Sequence, residues 1–340
     1  MKTPSPAESQ RTKLPDLSSE ASAPDLRQGE LVVIVGPTAV GKTALAVRLA
    51  EAVGGEIISA DSRQVYRGMD IGTAKATSEE RARVPHHLLD ILDPDEVLSL
   101  AQFQELAYAA IDGVLRVARV PFLVGGTGQY VMAVVEGWQV PRVPPDESLR
   151  QELYHQAAEK GPEALHARLR EWDPVAAERI DPRNVRRVIR ALEVCLVTSQ
   201  PISEQQQKTP PPYRLLMIGL TLPRPQLYRR IDERVERMIA AGLEDEVRRL
   251  VAAGYDFDLP AMSGVGYGQF APYLAGEATL ADVVQEIKRT TRRFVRHQDN
   301  WFRRDDPRLH WFDAQPDPFP AVLDLVRRFL AFPSGDSVVE

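Results

Sequence analysis

Between an all-apolar run, Leu31–Val35, and an amphipathic stretch from Thr43 lies Gly36-Pro-Thr-Ala-Val-Gly-Lys-Thr43, and no other feature so narrows what this chain can fold into. The pattern is G-x-x-x-x-G-K-[ST]. Its glycines let successive backbone N–H groups curl round a polyphosphate, Lys42 supplies a point charge, and Thr43 offers a hydroxyl of the kind that reaches phosphate-bound Mg²⁺. The helix expected from Thr43 presents its positive end to the anion. Such a cradle works only at a strand-to-helix turn, and the preceding run reads as a strand buried on both faces. Gly36, Pro37, Thr38, Ala39, Val40, Gly41, Lys42 and Thr43 are thus the candidate phosphate-binding segment. The cradle does not say which polyphosphate it holds.

Similar short runs recur at Glu56–Ala60, His87–Leu92, Pro121–Val124, Leu215–Thr221 and Leu309–Phe312. Helical patterns occupy Thr43–Val53, Ser99–Ala118, Arg224–Ala240, Leu243–Ala253 and Thr279–Arg303. This alternation predicts an α/β protein with a P-loop NTPase-like core, its mostly parallel sheet covered by helices. From Trp138 to Gln207 the alternation fails, leaving helical segments opened at Pro145-Asp146, Gly161-Pro162, Asp173-Pro174 and Asp181-Pro182. The expected organisation is a disordered tail over 1–29, rich in Ser, Pro and charge, a core over 30–137 and 208–332, a small all-helical insertion over 138–207, and a tail over 333–340. In the last long helix Leu280, Val283, Ile287, Phe294 and Trp301 recur at helical spacing and predict a core-facing stripe.

The composition, 44% hydrophobic and 26% charged over 340 residues, is that of a globular chain with a sizeable core. No run approaches the roughly 18 apolar residues that cross a bilayer. The single cysteine, Cys195, can build neither an internal disulfide nor a multi-Cys metal site, which suits a reducing cytoplasm, and it reads as a small buried hydrophobe. Net charge is −6, yet residues 288–304 hold seven Lys/Arg against Asp299 alone, and 183–190 hold four arginines and no acid. Two basic patches of this kind are the footprint of a polyanion partner. Over Arg224–Arg249 seven arginines meet six acids, which predicts surface pairs.

Asp61 follows the second apolar run, at the sheet edge that lines ligand crevices in open α/β folds. A carboxylate there suits a general base; the same residue could instead cap a helix. An ordinary NTPase would carry a strand ending in a Mg²⁺-holding Asp. Pro121–Val124 ends instead in Gly125-Gly126-Thr127-Gly128, which disfavours motor or switch chemistry and leaves group transfer from a bound diphosphate open. His86 and His87 lack a third ligand at sensible spacing and read as structural or pocket-lining.

After the cradle come, in order, Ala60-Asp-Ser-Arg-Gln-Val-Tyr66, Gly68-Met-Asp-Ile-Gly-Thr-Ala-Lys75, Pro85-His-His-Leu-Leu-Asp-Ile91 and Val124-Gly-Gly-Thr-Gly-Gln-Tyr130. Further on stand Arg190-Ala-Leu-Glu-Val194, Leu227-Tyr-Arg-Arg-Ile-Asp-Glu-Arg234, Val265-Gly-Tyr267 and Gln298-Asp-Asn-Trp301. Over about residues 31–313 this string resembles the tRNA dimethylallyltransferase (IPP transferase) family in its bacterial form; one cysteine cannot build the zinc finger that eukaryotic relatives append. The resemblance implies transfer of a dimethylallyl group from dimethylallyl diphosphate to N6 of adenosine-37 of tRNA, 3′ of the anticodon, with Mg²⁺; a cytoplasmic monomer is expected. It implies that Gly36–Thr43 hold the diphosphate with Thr43 near the metal, that Asp61 accepts the N6 proton, and that Thr127 and Arg230 steady the leaving group. It assigns tRNA contacts to Asp61, Ser62, Arg63 and Gln64, to Arg186, Arg187, Val188, Ile189 and Arg190, to Met262, Gly266 and Tyr267, and to Arg296, Gln298 and Arg303. The chain departs from the family pattern at Ser263, Gly268 and His297. Other readings are an isopentenyltransferase acting on free adenine nucleotides, which needs no RNA grip, a small-molecule P-loop kinase, and a non-catalytic RNA-binding protein.

Overall fold

A computed structural model describes residue 26 and residues 28–331. The tails expected over 1–29 and 333–340 lie outside the described residues apart from 26, 28 and 29. Among the described residues the chain forms two compact units, one running to Val135 and resuming at Pro212, the other spanning Glu136–Pro211.

The first unit holds strands β1 (Gly29–Val35), β2 (Gly55–Ser59), β3 (His86–His87), β4 (Val120–Val124), β5 (Tyr213–Thr221) and β6 (Leu309–Asp313). They form one sheet in the order β3-β2-β4-β1-β5-β6, with every pairing parallel. In chain order the helices are α1 (Lys42–Val53), α2 (Ser78–Arg83), α3 (Leu100–Arg116) and α4 (Gly128–Glu136). The second unit contributes α5 (Glu147–Lys160), α6 (Pro162–Trp172), α7 (Pro174–Arg179), α8 (Val185–Thr198) and α9 (Ile202–Gln205). The first unit then adds α10 (Arg224–Ala240), α11 (Leu243–Ala252), α12 (Ala271–Leu274), α13 (Leu280–Gln298) and α14 (Phe319–Ala331).

Strand side chains alternate between faces, so a strand apolar throughout must be covered on both. Val32 and Ile34 join one cluster with Leu45 and Leu49 of α1 and Leu227 and Ile231 of α10. Leu31, Val33 and Val35 enter a second cluster with Phe103 and Ile111 of α3 and Val131 of α4. The unit Glu136–Pro211 has its own core around Leu153, Leu165, Leu169, Leu192 and Cys195, the last fully buried as a small hydrophobe.

Several elements differ from the sequence reading. The strand expected over His87–Leu92 stops at His87, because Leu88 and Asp90 take left-handed φ values of 62° and 56°. Asp90 is held by Lys75 at 2.6 Å and Arg81 at 2.7 Å. His87 lies 2.6 Å from Glu56 and the His86 ring nitrogen Nδ1 2.7 Å from the Val84 carbonyl oxygen, so both rings brace the short strand β3. Periodicity does not reveal α2 or α4, although Thr77 and Glu80 make a complete capping box for α2. The last long helix ends at Gln298 rather than Arg303. In its final turns burial falls on Val295 and Gln298, while Phe294, expected in the core, is 43% exposed.

One carboxylate ties three segments together. Buried Glu246 on α11 accepts N–H bonds from Asp70 (3.0 Å), Ile71 (2.8 Å) and Gly72 (3.1 Å), and the Tyr267 hydroxyl donates to it at 2.7 Å. Gly72 must be glycine, since a Cβ there would sit 2.5 Å from the Tyr267 ring. Glu246→Ala strands three backbone donors, and we expect it to lower unfolding free energy by about 3 kcal/mol. Urea titration should show this as a shifted midpoint at unchanged m-value.

Candidate active site

The chain leaves β1 for β2 on one side of the sheet, whereas β4, its neighbour, leads to β5 on the other. The ends of β1 and β4 therefore flank the point where the connections diverge, which is where open α/β sheets bind ligands. From β1 the cradle turns directly into α1, with Gly41 at the helix N-cap in a left-handed conformation, φ 109°. Gly36 has φ 145°, and a Cβ on it would lie 2.5 Å from the Leu220 carbonyl oxygen. No other residue fits there. The Lys42 ammonium folds onto the cradle and donates to the carbonyls of Gly36 (3.0 Å) and Pro37 (2.9 Å).

Facing the cradle, the loop after β4 is equally crowded. A Cβ on Gly125 would meet the Ala60 carbonyl oxygen at 2.1 Å, one on Gly126 the Gln298 amide nitrogen at 2.4 Å, and one on Gly128 the Trp301 side chain at 2.1 Å. Glycine lets this loop close on the Ala60 main chain and on the Gln298 and Trp301 side chains, and Thr127 is delivered at their junction. Its hydroxyl accepts the Ser62 N–H at 3.1 Å, which joins this loop to the segment bearing Asp61. Asp61 directly follows Ala60 at the end of β2 and accepts the Arg63 N–H at 2.9 Å. Asp61 does not cap a helix: a turn over 62–65 follows it, and its carboxylate closes that turn through the Arg63 N–H.

Helix α10 brings two arginines to this edge. Arg230 donates to the Val40 carbonyl of the cradle at 3.1 Å. Arg234, which the sequence reading does not single out, is close enough for its charge to be felt by Lys42 and for Asp61 to act on both. Burial brings the Lys42 ammonium down to about 8; Asp61 pulls it up and Arg234 pushes it further down. Burial likewise lowers the Arg234 guanidinium, against the attraction of Asp61. The signal for Arg234 was its place one helical turn after Arg230, which puts both on one face of α10. Lys42, Asp61, Thr127, Arg230 and Arg234 therefore make one polar edge: cations and backbone donors for an anion, with a carboxylate beside them.

The model for the family described as "IPP transferase" matches residues 64–305, most of the chain. The chain belongs to this family. A second model, "Isopentenyl transferase", matches residues 29–90. Among curated relatives, a tRNA dimethylallyltransferase of Roseiflexus sp. (strain RS-1) is 61% identical over 81% of this chain and 90% of its own length. One of Dehalococcoides mccartyi is 46% identical over 94% of this chain and 98% of its own. The full-length tRNA isopentenylpyrophosphate transferase of Bacillus halodurans has a similar structure, with TM-score 0.65 and 45% identity over 89% of this chain and 95% of that one. A eukaryotic dimethylallyltransferase acting on tRNA superposes with TM-score 0.76 at 25% identity, covering 90% and 80%.

The RNA contacts that the family resemblance assigns are not all at the surface. Arg186 and Arg187 stand exposed on α8, but Val188 and Ile189 point inward at 0% and 2% exposure, as helical periodicity requires. Arg190 is occupied by Glu193 and by the Val143 carbonyl at 3.0 Å. Met262, Gly266 and Tyr267 are buried, leaving Ser263 exposed in their loop. Arg63 reaches the Pro260 and Ala261 carbonyls, and the Gln64 amide braces Thr73 and Ala74, so both shape the loop behind Asp61 and Ser62. On α13 the dense basic run is partly neutralised by acids that sequence places far away: Lys288 pairs with Glu236 at 2.7 Å, and Arg292 with Asp232. Arg289 pairs with Glu286 on its own helix, and Arg303, beyond the helix end, with Asp305. Arg293, Arg296 and His297 remain exposed, while Gln298 is buried.

The position of Lys42 predicts a pH dependence. Only the protonated amine attracts an anion, and burial brings the Lys42 ammonium down to about 8. Pyrophosphate affinity, measured calorimetrically with allowance for the ligand's own ionisation, should hold below that point. It should then fall by up to about tenfold per pH unit above it, with proton uptake on binding. Lys42→Ala should remove both this limb and most of the affinity.

Proposed function

We propose that this chain transfers the dimethylallyl group of dimethylallyl diphosphate to N6 of adenosine-37 of tRNA, releasing diphosphate and N6-(dimethylallyl)adenosine. The observation that carries this reading is the convergence of an anion cradle and a lone carboxylate at one sheet edge, in a chain of the IPP transferase family. The allylic C–O bond breaks with its electron pair going to diphosphate, the N6–C bond forms, and the N6 proton passes to Asp61. Lys42 and the backbone donors of Gly36–Thr43, with Thr127 and Arg230, receive the charge that develops on the leaving group. Adenosine-37 is stacked within the anticodon loop and must be extruded to reach this edge. The isopentenyl transferase match covers only the end of the chain holding the cradle and Asp61, the parts both chemistries share, so it does not favour a free nucleotide as acceptor.

Mg²⁺ completes the reading. Thr43 stands in the first turn of α1, and Mg²⁺ characteristically takes one or two protein oxygens and fills its shell with substrate phosphates and water. The single Thr43 hydroxyl suits an ion that takes most of its ligands from the diphosphate and from water. When bound, it would neutralise charge on the leaving group. We further propose a monomer working in the cytoplasm. Support comes from a lone, buried, unpaired cysteine and from exposed large apolar residues scattered over many elements. No described helix is long and apolar enough to cross a membrane.

Mass spectrometry of tRNA nucleosides after incubation with dimethylallyl diphosphate and Mg²⁺ should reveal N6-(dimethylallyl)adenosine; ATP-dependent phosphorylation of a small molecule instead would support the kinase reading. Asp61→Asn keeps the turn to Arg63 yet cannot accept a proton at neutral pH. Single-turnover transfer should fall about 10²–10⁴-fold with diphosphate affinity nearly unchanged. Arg186, Arg187 and Arg296 are exposed, and no acid pairs with them among the described residues. Their joint replacement by alanine should flatten the dependence of log tRNA affinity on log salt, by somewhat under one unit for each phosphate no longer neutralised. An unchanged slope would return them to solvated surface.

A further inference from the structure

We infer that Gln298 is a positioning residue of the leaving-group site and not an RNA contact; this rests on the reading of the cradle as a diphosphate site. Gln298 is the last residue of α13 and is 5% exposed. Its Oε1 accepts the N–H of Thr38, inside the cradle, at 2.9 Å. Its Nε2 donates to the carbonyl of Gly126, in the loop that carries Thr127, also at 2.9 Å. One primary amide therefore bridges the two loops that flank the site. A Cβ on Gly126 would lie 2.4 Å from this amide nitrogen and 3.5 Å from Lys42 Nζ, so the bridge stands directly beside the cradle lysine.

The chemistry of the bridge is specific. The Thr38 N–H can only donate and the Gly126 carbonyl can only accept, so a single side chain joining these two groups must accept at one end and donate at the other. A carboxylate cannot donate and an ammonium cannot accept. The main chain behind the amide is held as well, since the Gln298 carbonyl accepts the N–H of Trp301 at 3.0 Å and of Phe302 at 3.3 Å. Trp301 in turn packs against Gly128. Helix α13 is itself zipped to α10 by Glu236–Lys288, Asp232–Arg292 and Arg224–Asp299. The amide is thus anchored to the helix that also carries Arg230 and Arg234, and it sets the separation between the cradle donors and Thr127. Reaching an RNA would cost both hydrogen bonds and uncover a buried group. Two residues earlier Arg296 is exposed, so the final turn of α13 divides its work, Arg296 outward and Gln298 inward.

The test separates diphosphate binding from RNA binding, with inorganic pyrophosphate and Mg²⁺ as the probe in the absence of RNA. Gln298→Ala should weaken pyrophosphate binding about tenfold and raise KM for dimethylallyl diphosphate in parallel, with tRNA affinity within about twofold of wild type. Gln298→Glu keeps the size of the side chain and its acceptor for Thr38, but turns a carboxylate toward the Gly126 carbonyl and the incoming anion. It should bind pyrophosphate no better than the alanine variant, and it serves if the alanine variant does not fold. Arg296→Ala should give the opposite split, with weaker tRNA binding and unchanged pyrophosphate binding. Normal pyrophosphate affinity together with weakened tRNA binding in the Gln298 variants would overturn the inference. Absence of pyrophosphate binding by the wild-type protein would instead remove the diphosphate reading beneath it.

Discussion

The site depends on backbone crowding at the C-terminal edge of the sheet. Gly36 stands where a side-chain carbon would be 2.5 Å from the Leu220 carbonyl oxygen, and Gly125 where one would be 2.1 Å from that of Ala60. These two contacts let the ends of β1, β2, β4 and β5 close on one another without intervening side chains. An anion can then be met by main-chain donors, whose directions are set by the fold and need no reorganisation when charge develops. Lys42, Thr127 and Asp61 are added to that edge by the segments that the glycines allow together. Loss of either glycine would force strand ends apart before any catalytic side chain was touched.

Much of this architecture was legible because its signals are local. An apolar run followed by the cradle motif specifies a buried strand, a tight turn and a helix start, and β1 and α1 follow within two residues of that reading. Helix α10 spans Arg224–Ala240 as its periodicity predicts, after Pro223 and with Pro225 in its first turn. Failures occurred where a distant partner decided the outcome. Asp90 and Leu88 leave extended geometry in a segment that Lys75 and Arg81 hold by ion pairs. Gln298 lies in a strongly basic stretch, which reads as RNA-facing surface, yet its amide is drawn inward by two backbone groups 260 and 172 residues away.

Charge behaves similarly. The run from Lys288 to Arg304 contains a single acid, Asp299, but α10 lies alongside α13 and presents Asp232 and Glu236 to it. Much of the cationic density therefore goes into joining two helices, and only Arg293, Arg296 and His297 stand clear in its final turns. A count of basic residues overstates the electrostatic grip of such a helix wherever a neighbouring helix supplies acids.

The order in which the sheet is assembled carries a consequence for synthesis. Strand β5 pairs with β1 over seven positions, from Gly29↔Tyr213 to Val35↔Gly219, yet the intervening unit Glu136–Pro211 must emerge from the ribosome before β5 exists. Until then one edge of the central strand β1, with its unpaired N–H and C=O groups, is open to any other extended chain. The Glu136–Pro211 unit has a core of its own, composed of helices with local contacts, and can consolidate during that interval. The nascent chain is thus most exposed to mispairing between the completion of β4 and the arrival of Tyr213. Slowed translation across that stretch would lengthen the time for which the edge of β1 stands uncovered.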